Sequence, residues 1–437
     1  MTRDAAPPER ATPRGFRRTP ERGVEELRWA GEGWTAAGEP LSEAVTAEAV
    51  ARLRPLAGLR VEWPGSAPCS LDAVLDLAAA GVPLFARRIP DWVRRADPGL
   101  AELLSAWDGD AWSQAEGGGY RSVRDLRREE HSVRLRRHAH RTRRAGSVQA
   151  RKDADAALVS VVMASMRPHL LGSALRQIAR QRHVRVEALV GLHGVAASAE
   201  PVRRAVAECP VPVKVVEAPR KTPFGEVLNR AAAMASGDVL AKWDDDDWYG
   251  PEHLSDLLMA REYSGADVVG TAAEFFYLEP LRATIRRTDY SSEVWSDHVA
   301  GGTILLSTAL FRKTGGFAAL ERGVDADLLK RIHAAGGRIY RTHGLGYVLR
   351  RSFSEDHTWR LPLAHFLRVA TNQWRGLRPS LILEHDGTQP DPAPRARTGR
   401  AAGAGGGGAT KPAAPAEPAA GAPPSAGSVP AGEGRRP

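Results

Sequence analysis

The sequence has only two cysteines, Cys69 and Cys209, among its 437 residues. Two thiols are too few for a disulfide framework or for a zinc site. No run of about 18 apolar residues occurs, so the sequence predicts no transmembrane helix. The first 21 residues are rich in arginine and proline and lack the apolar centre of a signal peptide. Together these absences predict a soluble, cytoplasmic chain.

Acidic residues are scarce in one segment of the chain. Residues 121–152 contain 12 Lys or Arg against 3 Asp or Glu, whereas the rest of the chain contains 49 of each. The net charge of +9 therefore belongs to this segment and not to the fold as a whole. Its first 24 residues lack Pro and Gly, and Val123, Leu126 and Val133 recur at helical spacing, which predicts a basic helix.

This basic helix has three interpretations. The plainest is a solvated linker between two domains. The second is docking on anionic lipid head groups, which would give peripheral contact with the inner face of the membrane. The third is nucleic-acid binding. No Phe, Tyr or Trp lies among the arginines, which disfavours single-stranded nucleic acid.

Composition divides the chain into five regions. The second region, 24–119, contains six of the eleven tryptophans. It also has the pattern of a strand, a helix and a strand, over 59–62, 71–80 and 83–86. The fifth region, 386–437, is too rich in Ala, Gly and Pro to bury a core. The regions are a disordered segment (1–23), a small α/β unit (24–119), a basic helical linker (120–156), a main domain (157–385) and a disordered tail (386–437).

The main domain opens with alternating strand and helix patterns. Such alternation predicts an open, mostly parallel sheet with helices on both faces. Ligands of these sheets bind at the carboxyl ends of the strands. The predicted strands are 158–164, 186–192, 213–217 and 239–243, and the predicted helices are 171–180, 202–208 and 225–235.

Four consecutive aspartates, 244–247, follow the predicted strand 239–243 directly. Their carboxylates repel one another unless a cation neutralises them. Hard oxygen ligands of this kind suit Mg²⁺ or Mn²⁺, which would also hold a diphosphate. The alternative is an acidic turn that caps the next helix, because Asp247 precedes WYGPEHL.

Over about 157–368 the sequence resembles the family 2 glycosyltransferases of the GT-A fold. The stretches that carry the resemblance are SVVMASMRPHLLGSALRQIARQ, LNRAAAMASGDVLAKWDDDDWYGPEHL, GGTILLSTALFRKTGGF and VDADLLKRIHAAGG. The resemblance implies that Asp244 and Asp246 bind a divalent metal, with Asp246 the more direct ligand. It also implies that Asp244 and Asp247 contact the nucleotide sugar.

The resemblance further implies a catalytic base at Asp325, in GVDADLLKR, with Arg331 six residues later. Val324 stands where the family often has Glu. Asp327 is the second candidate, on nearly the opposite face of the helix. A base is required because the acceptor hydroxyl loses a proton as it attacks the anomeric carbon. The alternative is a carboxylate that only serves the helix dipole.

The remaining implied site residues include departures from the family pattern. Leu192 and His193 stand at two positions that are usually acidic, so His193 is either a nucleotide contact or a structural loop residue. Arg167 is either a phosphate or base contact or an exposed side chain. The resemblance implies nucleotide-sugar binding by Arg167, His193, Arg220, Asn229 and Arg351, and metal binding by His357.

The implied function is an inverting, metal-dependent glycosyltransferase in polysaccharide or cell-envelope glycan synthesis. Its expected partners are a nucleotide-sugar donor, Mn²⁺ or Mg²⁺, and a glycan, lipid-linked or small-molecule acceptor, without nucleic acid. A sugar-1-phosphate nucleotidyltransferase is disfavoured because MASMRPHLL lacks the required glycines. The alternative is a non-catalytic protein that binds anionic membranes or nucleic acid through its basic segment.

Overall fold

The computed structural model describes the chain from residue 12 to residue 385, with short gaps. The predicted tail, 386–437, and the candidate metal ligand His357 lie outside the described residues. The described ranges are 12–42, 44–65, 68–114, 123–146, 158–352 and 362–385.

The first part of the chain forms the predicted small α/β unit. Its elements are β1 (Arg22–Trp29), β2 (Trp34–Ala36), β3 (Glu39–Pro40), α1 (Ala47–Leu53), β4 (Leu56–Glu62), α2 (Asp72–Ala79), β5 (Leu84–Phe85), α3 (Asp91–Ala96), α4 (Pro98–Ser105) and α5 (Gly109–Gln114). The strands form one sheet in the order β3-β2-β1-β4-β5. Because β4 and β5 pair in parallel across α2, the predicted strand–helix–strand unit is confirmed.

Helix α6 (Val123–Gly146) confirms the predicted basic helix but not its solvated surface. The side chains of Arg128, Arg136 and Arg137 are buried. A solvated linker is therefore the wrong description of these arginines. A buried guanidinium is tolerated only when carboxylates or carbonyl groups satisfy it, and α6 finds such partners on two sides.

One side of α6 binds the N-terminal unit through backbone carbonyl groups. Arg128 donates to the carbonyl oxygen of Leu56, the first residue of β4, at 3.0 Å. Ser132 donates to the carbonyl oxygen of Gly81 at 2.7 Å, just beyond α2, where helical carbonyl groups lack intrahelical partners. Polar side chains of α6 thus donate hydrogen bonds to backbone carbonyl groups at the ends of neighbouring elements.

Another side of α6 forms ion pairs with the main domain. Arg137 makes a bidentate pair with Asp256, whose two oxygens lie 2.8 Å from Nε and 2.7 Å from Nη2. Glu129 accepts a hydrogen bond from Arg286 at 2.5 Å. These partners lie 119 and 157 residues away along the chain, so composition could not reveal them.

Buried His131, also on α6, is expected to make the fold less stable in weak acid. Its Nε2 atom lies 2.7 Å from the carbonyl oxygen of Leu84, and burial lowers its pKa to about 4. An unfolded histidine has a pKa of about 6.5. Between these values the unfolded chain binds a proton that the folded chain excludes, so the free energy of unfolding falls as the pH falls.

Urea unfolding at pH 7 and pH 5 measures this effect. His131→Gln is expected to reduce the loss of stability between the two pH values, because glutamine does not titrate but still has an amide donor for Leu84. The exposed His333 supplies the control variant, His333→Gln, which should behave as the unmodified chain. The same loss in all three proteins would contradict the assignment to His131.

The segment before β1 differs from the disorder predicted for 1–23. Phe16 is buried, and the guanidinium carbon of Arg128 lies 5.2 Å from its ring centroid. Arg18 pairs with the carboxylate of Glu274 at 2.7 Å. The polar composition of the segment hides this order because the partners are distant in sequence. The prediction of disorder is wrong for residues 12–21.

The main domain contains two sheets. Its elements are β6 (Leu158–Ser165), α7 (Pro168–Ala179), β7 (Arg185–His193), α8 (Glu200–Ala207), β8 (Val213–Ala218), α9 (Phe224–Ala232), β9 (Val239–Lys242), β10 (Trp248–Tyr249), α10 (His253–Ser264), β11 (Val268–Thr271), β12 (Phe275–Leu278), β13 (Ala283–Arg286), β14 (Val294–Trp295), β15 (Leu305–Ser307), α11 (Thr308–Lys313), α12 (Val324–Ala334), β16 (Ile339–Thr342), β17 (Tyr347–Arg351), α13 (Leu363–Val369) and β18 (Asn372–Arg375).

The larger sheet has the strand order β14-β16-β11-β15-β9-β6-β7-β8. The four predicted strands, β9, β6, β7 and β8, are adjacent and pair in parallel. Helices α7, α8 and α10 pack with Val161 on one face, while α9, α11 and α12 pack with Val162 on the other. The predicted open, mostly parallel sheet with helices on both faces is confirmed.

The smaller sheet has the order β10-β17-β12-β13-β18. Because β10 follows β9 after five residues, the chain passes from one sheet to the other at the four aspartates. Among the described residues, no helix combines the length and apolar composition needed to cross a membrane.

Candidate active site

The four aspartates form a turn between the two sheets, which we call the acidic turn (244–247). Strand β9 lies between β6 and β15 in the larger sheet, and the backbone N–H of Trp243 still donates to Val162 at 3.0 Å. The acidic turn follows at the carboxyl end of this strand. The sequence predicted this position for a ligand site in an open α/β sheet.

Asp244 and Asp246 are the more exposed aspartates of the turn, with side chains 32% and 14% exposed. Asp244 Oδ1 lies 2.6 Å from Nζ of Lys242. Asp246 Oδ2 accepts from Arg167 Nη1 at 2.7 Å. These are the two aspartates that the resemblance assigns to a metal.

Asp245 points inward, next to Arg167, at the start of α7. Its carboxylate accepts from the hydroxyl of Ser165 at 2.5 Å and forms an ion pair with Arg167. Burial raises the pKa of Asp245 to about 6, although the Arg167 guanidinium opposes the shift. Asp245 therefore fixes the turn on the end of β6.

Asp247 also points inward, although the resemblance implies contact with the sugar. Its Oδ2 accepts from the hydroxyl of Tyr347, and its Oδ1 accepts from the backbone N–H of Arg350 at 3.0 Å. Burial raises the pKa of Asp247 well above its usual range, and the neighbouring aspartates add to the shift. The carboxylate joins the acidic turn to β17 and is buried in this structure.

Arg351 ends β17 close to the acidic turn. Burial lowers its pKa, and the negative charge of Asp246 partly opposes that shift. Asp246 also accepts from Arg167, so two guanidinium groups lie near one carboxylate. Both are residues that the resemblance assigns to the nucleotide sugar.

Asp325 is the second residue of α12, and its side chain is 29% exposed. Its Oδ1 lies 3.3 Å from Nζ of Lys242. Burial raises the pKa of Asp325, and the Lys242 ammonium opposes this shift. The tertiary fold thus brings the predicted base and Asp244 to the same lysine.

Asp327, the second candidate base, points elsewhere. Its carboxylate pairs with Nε of Arg331 at 2.7 Å, and Arg331 also donates to the carbonyl oxygen of Gly316 at 2.7 Å. Arg331, which the family pattern associates with the base, therefore pairs with Asp327 in this chain. The two acidic residues of α12 have separate partners.

His193 and Arg220 lie together at the carboxyl ends of β7 and β8. His193 Nε2 lies 2.9 Å from the carbonyl oxygen of Arg220. A carbonyl oxygen only accepts, so Nε2 carries a proton, and in the neutral ring Nδ1 is an acceptor. That Nδ1 is buried without a hydrogen-bond partner among the described residues, while Arg220 is exposed.

Asn229, for which the resemblance implies a sugar contact, bonds the backbone of a neighbouring loop. Its amide donates to the carbonyl oxygen of Phe317 at 2.7 Å and accepts from the N–H of the same residue at 2.9 Å. This pair of bonds holds the loop after α11 on α9. Asn229 therefore positions the backbone that leads to α12.

Three site features were missed by the sequence analysis: Lys242, Gly301 and Gly302. A Cβ atom at Gly301 would lie 2.3 Å from Asp325 Oδ2, and one at Gly302 would lie 2.7 Å from Asp244 Oδ2. Only glycine allows the backbone this close to both carboxylates. The sequence offered two signals for these residues: a lysine at the end of an apolar strand, and the glycine pair in VAGGT.

A divalent metal fits the acidic turn when other ligands complete its coordination. Within the described residues, no three His, Cys, Asp or Glu side chains converge as a metal site. Asp244 and Asp246 provide two partly exposed carboxylates, and Mg²⁺ commonly binds one or two carboxylates together with water and phosphate oxygens. The residues present fit that mode of binding.

Residues 160–329 match the family model for glycosyl transferase family 2. This part of the chain is therefore similar to that family. The match includes β6 to β9, the acidic turn and Asp325. The resemblance predicted from the sequence is confirmed, and we refer to the matched part as the family 2 domain.

Two solved structures are similar to the chain. The mannosyltransferase PcManGT from Pyrobaculum calidifontis, in complex with GDP-Man and Mn²⁺, is 18% identical, with 46% of this chain and 58% of that chain covered and a TM-score of 0.38. TarS 1-349 from S. aureus, in complex with UDP-GlcNAc, is 16% identical, with 48% and 64% covered and a TM-score of 0.39. The chain thus spans less than two thirds of each. None of the curated proteins compared with the chain matches it.

Proposed function

We propose that the chain is an inverting, metal-dependent glycosyltransferase that moves a sugar from a nucleotide-sugar donor to a hydroxyl of a glycan. The observation that carries the proposal is the contact of Lys242 with both Asp244 and Asp325, at 2.6 and 3.3 Å. It joins a donor-binding carboxylate and a candidate base in one site of the family 2 domain.

In the proposed reaction, an acceptor hydroxyl oxygen attacks the anomeric carbon of the donor sugar. A new carbon–oxygen bond forms, and the bond from the anomeric carbon to the phosphate oxygen breaks. The electron pair of that bond leaves with the nucleoside diphosphate. Asp325 takes the proton of the acceptor hydroxyl. One displacement from the face opposite the leaving group inverts the anomeric configuration.

Asp244 and Asp246 would hold Mn²⁺ or Mg²⁺ together with the donor diphosphate. A bound divalent cation stabilises negative charge on a departing phosphate. Arg167 and Arg351 add positive charge near Asp246, where guanidinium groups suit phosphate oxygens. In this proposal Asp245 and Asp247 orient the turn through their buried hydrogen bonds.

We assign His193 to the nucleobase. Its Nδ1 is a buried acceptor, unpartnered within the described part of the chain, and a base N–H would satisfy it. The backbone carbonyl of Arg220 fixes the required tautomer. The exposed Arg220 side chain belongs to the same end of the sheet and is assigned to the donor phosphates.

Contact with an anionic membrane is not included in the proposal. The arginines of α6 that would meet lipid head groups include several that pair inside the fold, such as Arg128, Arg136 and Arg137. The non-catalytic alternative rests on those same charges, and the buried pairs count against it.

The proposal is tested by nucleotide release from a panel of UDP, GDP, CDP and dTDP sugars in the presence of Mn²⁺. Release from at least one donor, abolished by a chelator, is expected from the folded protein. A folded protein that releases nucleotide from no donor, with or without a glycan acceptor, would contradict the proposed activity.

Asp246→Ala is expected to weaken nucleoside diphosphate binding by at least about tenfold in Mn²⁺, the lower range for groups that support a metal site. Calorimetric titration with and without Mn²⁺ measures the effect. Asp245→Asn is the comparison, because it keeps hydrogen-bonding capacity at an inward position, and it should weaken binding less than Asp246→Ala does. Equal affinity of the unmodified chain with and without Mn²⁺ would rule out the metal role.

A further inference from the structure

Lys242 occupies a position where the strand pattern calls for an apolar residue. Leu240, two residues earlier on the same face of β9, belongs to the apolar cluster that includes Val324 and Leu328 of α12. The Lys242 side chain is only 3% exposed. An ammonium group in such surroundings is stable only when it is paired. Its described ionic partners are two carboxylates from opposite sides of the proposed reaction, Asp244 and Asp325.

The two oxygens of Asp325 have different surroundings. Oδ1 is buried without a hydrogen-bond partner among the described residues and has an ion-pair contact with Lys242 Nζ at 3.3 Å, although the side chain as a whole is 29% exposed. The exposure therefore belongs to the remainder of the side chain, which includes Oδ2. Oδ2 lies beside Gly301, where a Cβ atom would come within 2.3 Å of it. The space next to Oδ2 thus depends on the absence of a side chain at Gly301.

We propose that Lys242 is a positioning residue that holds Oδ1 of Asp325, so that Oδ2 is the oxygen that receives the acceptor's proton. Gly301 leaves the space that this contact with the acceptor needs. The inference rests on the proposed function, because it requires Asp325 to be the base. The same ammonium contacts Asp244, so one cation sets the base relative to the carboxylate that binds the donor.

The direct test is Lys242→Met, which keeps most of the length of the side chain and removes its charge. We expect kcat for sugar transfer to fall about 100-fold, the effect of misplacing a reacting group by about 1 Å, while the donor KM changes little. Lys214→Met is the matched control. Lys214 lies on β8 of the same sheet and pairs with Glu187 at 2.9 Å, so this variant should keep the kcat of the unmodified chain.

Chemical rescue separates positioning from a merely structural role. Lys242→Ala lacks four side-chain atoms, which added propylammonium replaces. Part of kcat is expected to return and to level off as the propylammonium concentration rises. Gly301→Ala is expected to lower kcat with Lys242 still present. If the lysine variants fail to fold, as shown by the loss of cooperative unfolding, the kcat of Gly301→Ala decides whether the space beside Oδ2 is needed for transfer. A folded Lys242→Met with normal kcat, rescue that fails, or a fully active Gly301→Ala would overturn the inference.

The inference and the proposed function fail in different ways. If Asp325→Asn transfers sugar at the normal rate, the base assignment fails and the role of Lys242 falls with it. If Asp325→Asn is impaired and Lys242→Met is normal, only the positioning role is overturned. If Lys242 acts through Asp325, the double variant should be no slower than Asp325→Asn alone.

Discussion

Asp325→Asn is expected to lower the rate of sugar transfer by about 10²–10⁴-fold, the usual contribution of general-base catalysis. Asparagine keeps the size and much of the hydrogen bonding of aspartate but cannot take up the acceptor's proton. Burial raises the pKa of Asp325, and a higher pKa makes its carboxylate a better proton acceptor. Binding of Mn²⁺ and nucleoside diphosphate should change little, because the proposed function assigns those contacts to Asp244 and Asp246.

Asp327→Asn is the matched control on the same helix. Its carboxylate pairs with Arg331 in a partly exposed contact, whose loss should cost about 0–1 kcal/mol of stability and leave transfer unchanged. Nucleotide release and calorimetric binding are measured for both variants. A slow Asp327 variant beside a normal Asp325 variant would move the base by two residues. Normal transfer in both would remove α12 from the site.

The donor side of the site was predictable because its signal is local. An apolar strand followed at once by residues 244–247 identifies a strand end and a set of carboxylates without knowledge of the fold. The same pattern could not show which aspartates face the ligand. Asp245 and Asp247 turn inward because Ser165 and Tyr347, 80 and 100 residues away, offer them hydroxyl groups.

Lys242 and Gly301 were not predictable in the same way. Each is ordinary in its local sequence and gains its role only when α12 brings Asp325 against β9. Asn229 depends on a distant partner as well: its amide bonds the backbone of Phe317, 88 residues away, a contact that the family resemblance did not indicate. Roles that depend on distant partners emerge only from the tertiary structure.

Helix α6 shows how charge counting misleads. An excess of arginine over 121–152 predicts a solvated surface, because the sequence does not show where the opposing carboxylates lie. In the fold, Glu252, Asp256 and Glu293 face α6 from the main domain. The segment with the whole net charge of the chain therefore forms ion pairs between the two parts of the protein.

Arg137→Met is expected to lower the free energy of unfolding by about 3–5 kcal/mol, the cost of breaking a buried ion pair by removing one partner. The variant leaves Asp256 buried beside His343, whose Nε2 lies 3.5 Å away and whose pKa is lowered by burial. Adding Asp256→Leu should recover much of the loss, because the stranded charge disappears. Urea unfolding at neutral pH measures both changes.

Arg144→Met is the control for this prediction, since Arg144 lies on the same helix and also pairs with a residue of α10. That partner is Glu262, and the two side chains are 37% and 48% exposed, so water solvates both charges in the folded and the unfolded chain. Its replacement should cost only about 0–1 kcal/mol. If the Arg137 and Arg144 variants lose similar stability, burial does not make the α6 pairs important, and α6 acts as the solvated linker that its composition suggests.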